Sequence, residues 1–112
     1  LNENFKINLI PLVQWLSLDD KKFRVLTSGT TLKRTGYIRM MRNCLIAAGN
    51  SSNSSLVPSI KKFLNSDNEI LRGSAIWALK QLIPSEDFAR LKDKYCISEK
   101  NLNVRKEWLR KK

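Results

Sequence analysis

The stretch DNEILRGSAIWALKQL, Asp67 to Leu82, decides the fold. Asn65 to Asn68 turns the chain, and Ile70 to Leu82 then reads as a helix. Leu71, Ala75, Ala78 and Leu82 recur at spacings of three and four residues, the period that puts side chains on one helical face. Ala47, Ala48, Gly73, Ser74, Ala75 and Ala78 are small, so neighbouring helices are expected to approach closely. The arrangement is repeated. Met41-Arg42-Asn43-Cys44-Leu45-Ile46-Ala47-Ala48 lies 30 residues before Leu71-Arg72-Gly73-Ser74-Ala75-Ile76-Trp77-Ala78, and a weaker copy, Val104-Arg105-Lys106-Glu107-Trp108-Leu109, lies 33 residues after it. Each copy opens on an apolar residue followed by arginine. A period near 30 residues with two helices per unit points to a short α-solenoid.

Outward from this stretch the helical pattern continues. Towards the N-terminus, Ile7, Leu9, Leu12, Val13 and Leu16 form a short apolar face whose regularity Pro11 limits. Ser17 is expected to cap a helix carrying Asp19 and Asp20 in its first turn, then Leu18, Phe23 and Leu26, ending near Ser28-Gly29. Thr27 to Thr31 is a Gly/Ser/Thr loop. A long helix is predicted over Arg34 to Ala48, with Tyr37, Met41, Cys44, Leu45 and Ala48 on one side and Gly49-Asn50 as its stop. After the polar loop Ser51 to Ser55, Pro58 suits a helix start with Leu56, Val57, Ile60, Phe63 and Leu64 as its apolar set. Pro84-Ser85 opens a helix with Phe88, Leu91 and Tyr95, and a last one runs from about Ser98 with Leu102, Val104, Trp108 and Leu109. There is no strand alternation and no hairpin signal, so the class is all-α.

Charge sets this chain apart. Its 112 residues suffice for one compact domain, and they carry 21 Lys+Arg against 10 Asp+Glu. That balance favours polyanion partners, nucleic acid first. From Lys21 to Ser66 there are nine basic residues and no acid. A second run closes the chain: Arg105, Lys106, Arg110, Lys111 and Lys112. The candidate nucleic-acid contacts are Lys33, Arg34, Arg39, Arg42, Asn43, Lys61 and Lys62. Arg39 lies far from the apolar stripe, while Arg42 borders it, about 60° around the helix from Arg39. Arg72, with Asp67 and Glu69 close in sequence, is expected to be structural, and Arg105 similarly. The loop Ser28 to Thr31, before a helix N-terminus and flanked by Lys33 and Arg34, is a candidate anion site. Tyr37 is expected in the core. Exposed aromatics do not interleave with the cations, so base-specific reading is not implied.

Several classes are excluded. Two distant cysteines, Cys44 and Cys96, and no histidine give no metal-ligand spacing and no acid–base pair, so no catalysis is expected of these residues alone. Cys44 reads as a small buried hydrophobe; whether the two pair is left open. No apolar run reaches membrane-spanning length and no leader pattern opens the chain, so a cytoplasmic protein is expected and the two Asn-x-Ser sequons are read as chance. The chain begins at Leu, not Met, and is expected to be part of something longer.

Two resemblances sharpen the reading. Asp67-Asn68-Glu69-Ile70-Leu71-Arg72, with Ala75, Ala78 and Leu79, resembles the short HEAT-like repeat. More specifically, Ser28 to Ser51, SGTTLKRTGYIRMMRNCLIAAGNS, resembles the start of the C-terminal domain of epoxyqueuosine reductases. That family shows a Gly-Ser-Pro segment, a basic pair, then Arg-x-Gly-x-x-Arg-x-x-Arg-Asn, an aliphatic helix and Gly-Asn. Gly29, Lys33, Arg34, Gly36, Arg39, Arg42, Asn43, Gly49 and Asn50 fill those places here. Leu16 to Phe23 resembles the preceding helix and Leu71 to Leu79 the following repeat, so the likeness covers roughly residues 12 to 83. Thr31 departs from the usual proline, and nothing after Pro84 is distinctive. The resemblance implies a parent enzyme that reduces an epoxide on the tRNA wobble base, using cobalamin and two 4Fe-4S clusters held by upstream domains. Residues 1–27 would then join that upstream catalytic and ferredoxin-like part, and residues 28–112 would form a HEAT-like repeat domain. The implied partners are the tRNA anticodon arm and the upstream domains of the same polypeptide, with no membrane, in a monomer.

Competing readings share the charge and the repeat. One is a stand-alone HEAT-like scaffold binding an acidic protein or nucleic acid. Another is a helical-repeat base-excision enzyme, which needs a carboxylate and an aromatic in a basic groove; Asp87 and Trp77 are available, but no pattern joins them. A membrane-surface role lacks a helix with a clean basic and aromatic face.

Overall fold

The computed structural model describes residues 10–111, so Ile7, Leu9 and Lys112 lie outside the described residues. Among the described residues there are helices and turns and no strand. The elements are α1 (Leu12–Leu16), α2 (Asp20–Thr27), α3 (Leu32–Thr35), α4 (Tyr37–Gly49), α5 (Val57–Lys61) between two 3-10 turns (Ser54–Leu56 and Lys62–Asn65), α6 (Glu69–Leu82), α7 (Ser85–Tyr95) and α8 (Leu102–Leu109).

The boundaries follow from local chemistry and correct three expectations. Asp19, not Ser17, caps α2: its carboxylate accepts from the Lys22 N–H at 2.8 Å. Ser17 instead closes α1, its hydroxyl donating to the Gln14 carbonyl at 2.6 Å. The helix expected over Arg34 to Ala48 is two helices, because Gly36 sits at φ +84°, ψ +159°, a conformation open essentially to glycine alone. The last helix starts at Leu102 rather than near Ser98. Asn101 caps it, accepting from Asn103 and Val104 N–H groups at 2.9 and 3.1 Å. Asn68 caps α6 in the same way, on Ile70 and Leu71. Pro58 lies in the first turn of α5, where its missing N–H costs nothing.

The core is built on the pairing of α4 with α6, the most extensive contact between any two elements; α1 and α2 pack on the α4 side, and α5 and α8 on α6. Met41, Leu45, Ala48, Ile60, Leu71, Ala75, Ile76, Ala78 and Leu79 are essentially inaccessible, and Trp15, Leu16, Phe23, Val104 and Trp108 join the same cluster. The close approach turns on one glycine. A Cβ at Gly49 would lie 2.6 Å from Cζ3 of Trp77 and 3.0 Å from Cα of Ala78. Gly49 is thus a packing residue inside α4, with Asn50 as the C-cap at φ −87°. Gly73 does not do this: nothing lies within 4 Å of where its Cβ would be. Ala47 is exposed as well. Of the small residues expected at the interface, Ala48, Ala75 and Ala78 are the ones that fill it.

Arg72 is structural, but through a different partner from those expected. It forms a two-pronged pair with Glu99, Nε to Oε1 at 2.8 Å and Nη2 to Oε2 at 3.0 Å, and also donates to the Ser66 carbonyl at 2.9 Å. This ties α6 to the turn between α7 and α8. Hydrogen bonding to Arg72 holds the Glu99 carboxyl below its ordinary range. Arg105 supports the same turn by donating to the Cys96 and Glu99 carbonyls, both at 3.1 Å. Lys80, from α6, is buried and closes the C-terminus of α8, donating to the Glu107 and Arg110 carbonyls at 2.7 Å each. A cation there meets the negative end of the helix dipole. Burial still lowers its pKa, against the pull of nearby Glu107.

Candidate nucleic-acid interface

Gly36 sets the layout of the first candidate residues. By ending α3 it places Lys33 and Arg34 on a short separate turn, and it starts α4 with Tyr37 facing back towards α2. Tyr37 is half-buried, its hydroxyl donates to the Leu18 carbonyl at 2.9 Å, and its ring packs edge-on against Phe23 at 5.9 Å between centroids. Burial first, then the charges of Asp19 and Asp20, raise its pKa. Its core role is the expected one.

Along α4 the two functions are sorted by angle. Met41, Cys44, Leu45 and Ala48 are buried, while Arg39, Arg42 and Asn43 are exposed. At about 100° per residue, Arg39 projects nearly opposite the centre of the buried stripe and Arg42 lies to one side of it. Lys33, Arg34, Lys61 and Lys62 are exposed too. Among the described residues, none of these six cations makes an ion pair or a side-chain hydrogen bond. The pairs that do form are Asp20–Arg24, Asp87–Arg90, Glu99–Arg72, and Glu107 with Lys80 and Arg110.

Three of the cations line three different hollows. Lys33 lines a hollow with Asp20, Phe23, Arg24, Gly36 and Tyr37. Lys62 lines another that meets the other side of Tyr37, with Leu16, Asp19 and Phe63. These two lysines therefore flank the Tyr37 corner. Arg42 instead borders a groove of about 520 Å³ between α4, α6 and α8, alongside Glu69, Trp77, Glu107 and Arg110. Sequence reasoning missed Trp77 and Arg110 as neighbours of Arg42, because only the packing of three helices brings them together. The loop before α3 is a poorer anion site than its composition suggested. Thr30 spends both its N–H and its hydroxyl on the Thr27 carbonyl, at 3.0 and 2.7 Å, and the helix that follows is one turn long.

The residues do not fit a metal cluster. Among the described residues no three His, Cys, Asp or Glu side chains gather in a metal-binding group. Cys44 and Cys96 are both free thiols; Cys44 is buried in the α4–α6 core, where desolvation pushes its pKa up to about 11, the reverse of what a thiolate ligand needs. No described helix is long and apolar enough to cross a membrane.

No known family profile matches the chain, and no solved structure matches it. An epoxyqueuosine reductase from Francisella cf. novicida (strain Fx1) is 32% identical over 74 residues, an alignment covering 63% of this chain and 20% of that protein. The chain thus spans about a fifth of the length of the relative it matches. That similarity supports a relation between this all-helical chain and the epoxyqueuosine reductases.

Proposed function

We propose that this chain is the RNA-gripping helical part of an epoxyqueuosine reductase, a short solenoid of HEAT-like helix pairs that holds the tRNA anticodon arm for domains elsewhere in the same polypeptide. The observation that carries this reading is the sorting of charge. Six cations, Lys33, Arg34, Arg39, Arg42, Lys61 and Lys62, stand exposed without acid partners among the described residues, while Asp20, Asp87, Glu99 and Glu107 pair with other cations. Unpaired guanidinium and ammonium groups on a rigid helical frame suit phosphate oxygens, and phosphate contacts position an RNA without reading its sequence. The slab-like dimensions, 46 × 27 × 17 Å, and the repeat spacing support stacked helix pairs. Cobalamin and the 4Fe-4S clusters of such a reductase would be held by the upstream domains, since the cysteines here do not fit that task.

The test is a salt titration. Binding of a tRNA anticodon stem-loop is measured between about 50 and 200 mM salt for the chain and for Arg34→Ala/Arg39→Ala. The double variant binds more weakly, and its log–log slope is shallower by about one unit per lost phosphate contact. An unchanged slope refutes the contact. A stand-alone binder of acidic protein gives weak RNA affinity that is indifferent to the stem-loop fold.

A further inference from the structure

We infer that the groove between α4, α6 and α8 is a seat for one unstacked nucleobase of single-stranded RNA, resting on the RNA-binding reading above. Four observations converge. The groove, about 520 Å³, is large enough for a base with part of its ribose-phosphate. One wall is Trp77, half-buried, whose six-membered ring lies over Gly49, so close that a Cβ there would come within 2.6 Å of it. Of the three tryptophans, Trp15 and Trp108 are 4% and 2% exposed, so Trp77 is the one that can meet a ligand. The floor at Gly73 is open, and Ile46, Ile70 and Val104 complete an apolar lining.

The polar rim suits the rest of a nucleotide. Arg42 and Arg110 stand on α4 and at the end of α8, both exposed, as cations for a flanking phosphate. Glu69 offers acceptor oxygens, and Asn103 both donors and acceptors, for a base edge. Glu107, the other acid in the groove, is already engaged: its Oε1 lies 3.7 Å from the Lys80 Nζ and its Oε2 3.4 Å from Arg110 Nη1. An exposed aromatic together with arginines in one groove is a combination with which proteins hold splayed-out bases. The groove sets Trp77 beside Arg42 and Arg110, a juxtaposition that sequence spacing does not show.

The test uses the 112-residue chain and a variant that plugs the groove without removing any contact. Gly73→Leu adds a side chain where a Cβ meets nothing within 4 Å, on a helix whose propensity it improves, so it is expected to fold. Binding of a single-stranded heptaribonucleotide is measured for both, and the three indole N–H resonances are followed by NMR. The expected result is a loss of affinity of about tenfold or more in Gly73→Leu at an unchanged salt slope. The Trp77 indole resonance shifts on titration with RNA, and not with inorganic pyrophosphate. RNA binding with the normal salt slope, but unaffected by Gly73→Leu and silent at Trp77, overturns the base seat alone. The groove is then left for another part of the polypeptide. Absence of RNA binding altogether overturns the RNA reading and the base seat with it.

Discussion

Gly49, Gly73 and Gly36 show how one residue type takes three roles in this chain. Gly49→Ala drives a methyl group into the Trp77 ring and the Ala78 backbone. Overpacking of this kind costs about 1–3 kcal/mol, against which a better helix former returns less than about 1 kcal/mol. Gly73→Ala meets no atom and keeps only the propensity gain, so it stabilises by about 0.5–1 kcal/mol. Chemical denaturation of the two variants beside the parent checks both signs in one experiment. Gly49 before Asn50 reads as a helix stop, and Gly73 inside a small-residue pattern reads as an interface. The helix does stop at Gly49-Asn50, but the close packing falls on Gly49 and not on Gly73, because three-dimensional proximity, not local spacing, decides where a methyl group fits. Gly36 was quoted only within a motif; its positive φ is what parts α3 from α4.

At the scale of elements, the helices were legible where apolar periodicity was strong, and their ends were not. The core faces of α4 and α6 emerged as read except at one end of each, Tyr37 and Leu82, which stay partly exposed. The ends moved because caps compete locally: Asp19 out-competes Ser17, and Glu99 holds the turn that delays α8 until Leu102. Glu99 was also the partner that sequence could not supply for Arg72, being 27 residues away. Arg72→Ala removes both prongs of that pair, leaving Glu99 with the Asn101 N–H but no side-chain donor, and the Ser66 carbonyl without the Arg72 donor. A loss of about 2 kcal/mol or more follows, with the RNA salt slope unchanged. The pair also has a pH signature. The Glu99 carboxyl titrates lower in the fold than in the unfolded chain, so its contribution is complete above the ordinary carboxylate pKa of 4.5 and is lost as pH falls through the lowered folded value. Denaturation at neutral pH and at about pH 3 therefore shows the gap between the chain and Arg72→Ala closing in acid.

Across the whole molecule, one apolar cluster runs from Trp15 in α1 to Trp108 in α8. Helices that share a core in this way unfold together. Thermal unfolding followed by tryptophan fluorescence and by far-ultraviolet circular dichroism is expected to give one coincident transition. Two transitions would mean that the α7–α8 end melts apart from α4. The cationic character was fully legible in composition, because charge is a sum over residues. Its partition between the Tyr37 corner and the α4–α6–α8 groove was not, because that depends on how helices distant in sequence stack. The fit of Trp77 against Gly49 carries one more consequence, for descent rather than for chemistry. The two positions are free to vary only as a pair: a lineage that acquires any side chain at position 49 must shrink or turn aside the ring at position 77. Where an aligned relative keeps the glycine, an aromatic at the second position is permitted; where it does not, that side chain should be smaller or turned aside.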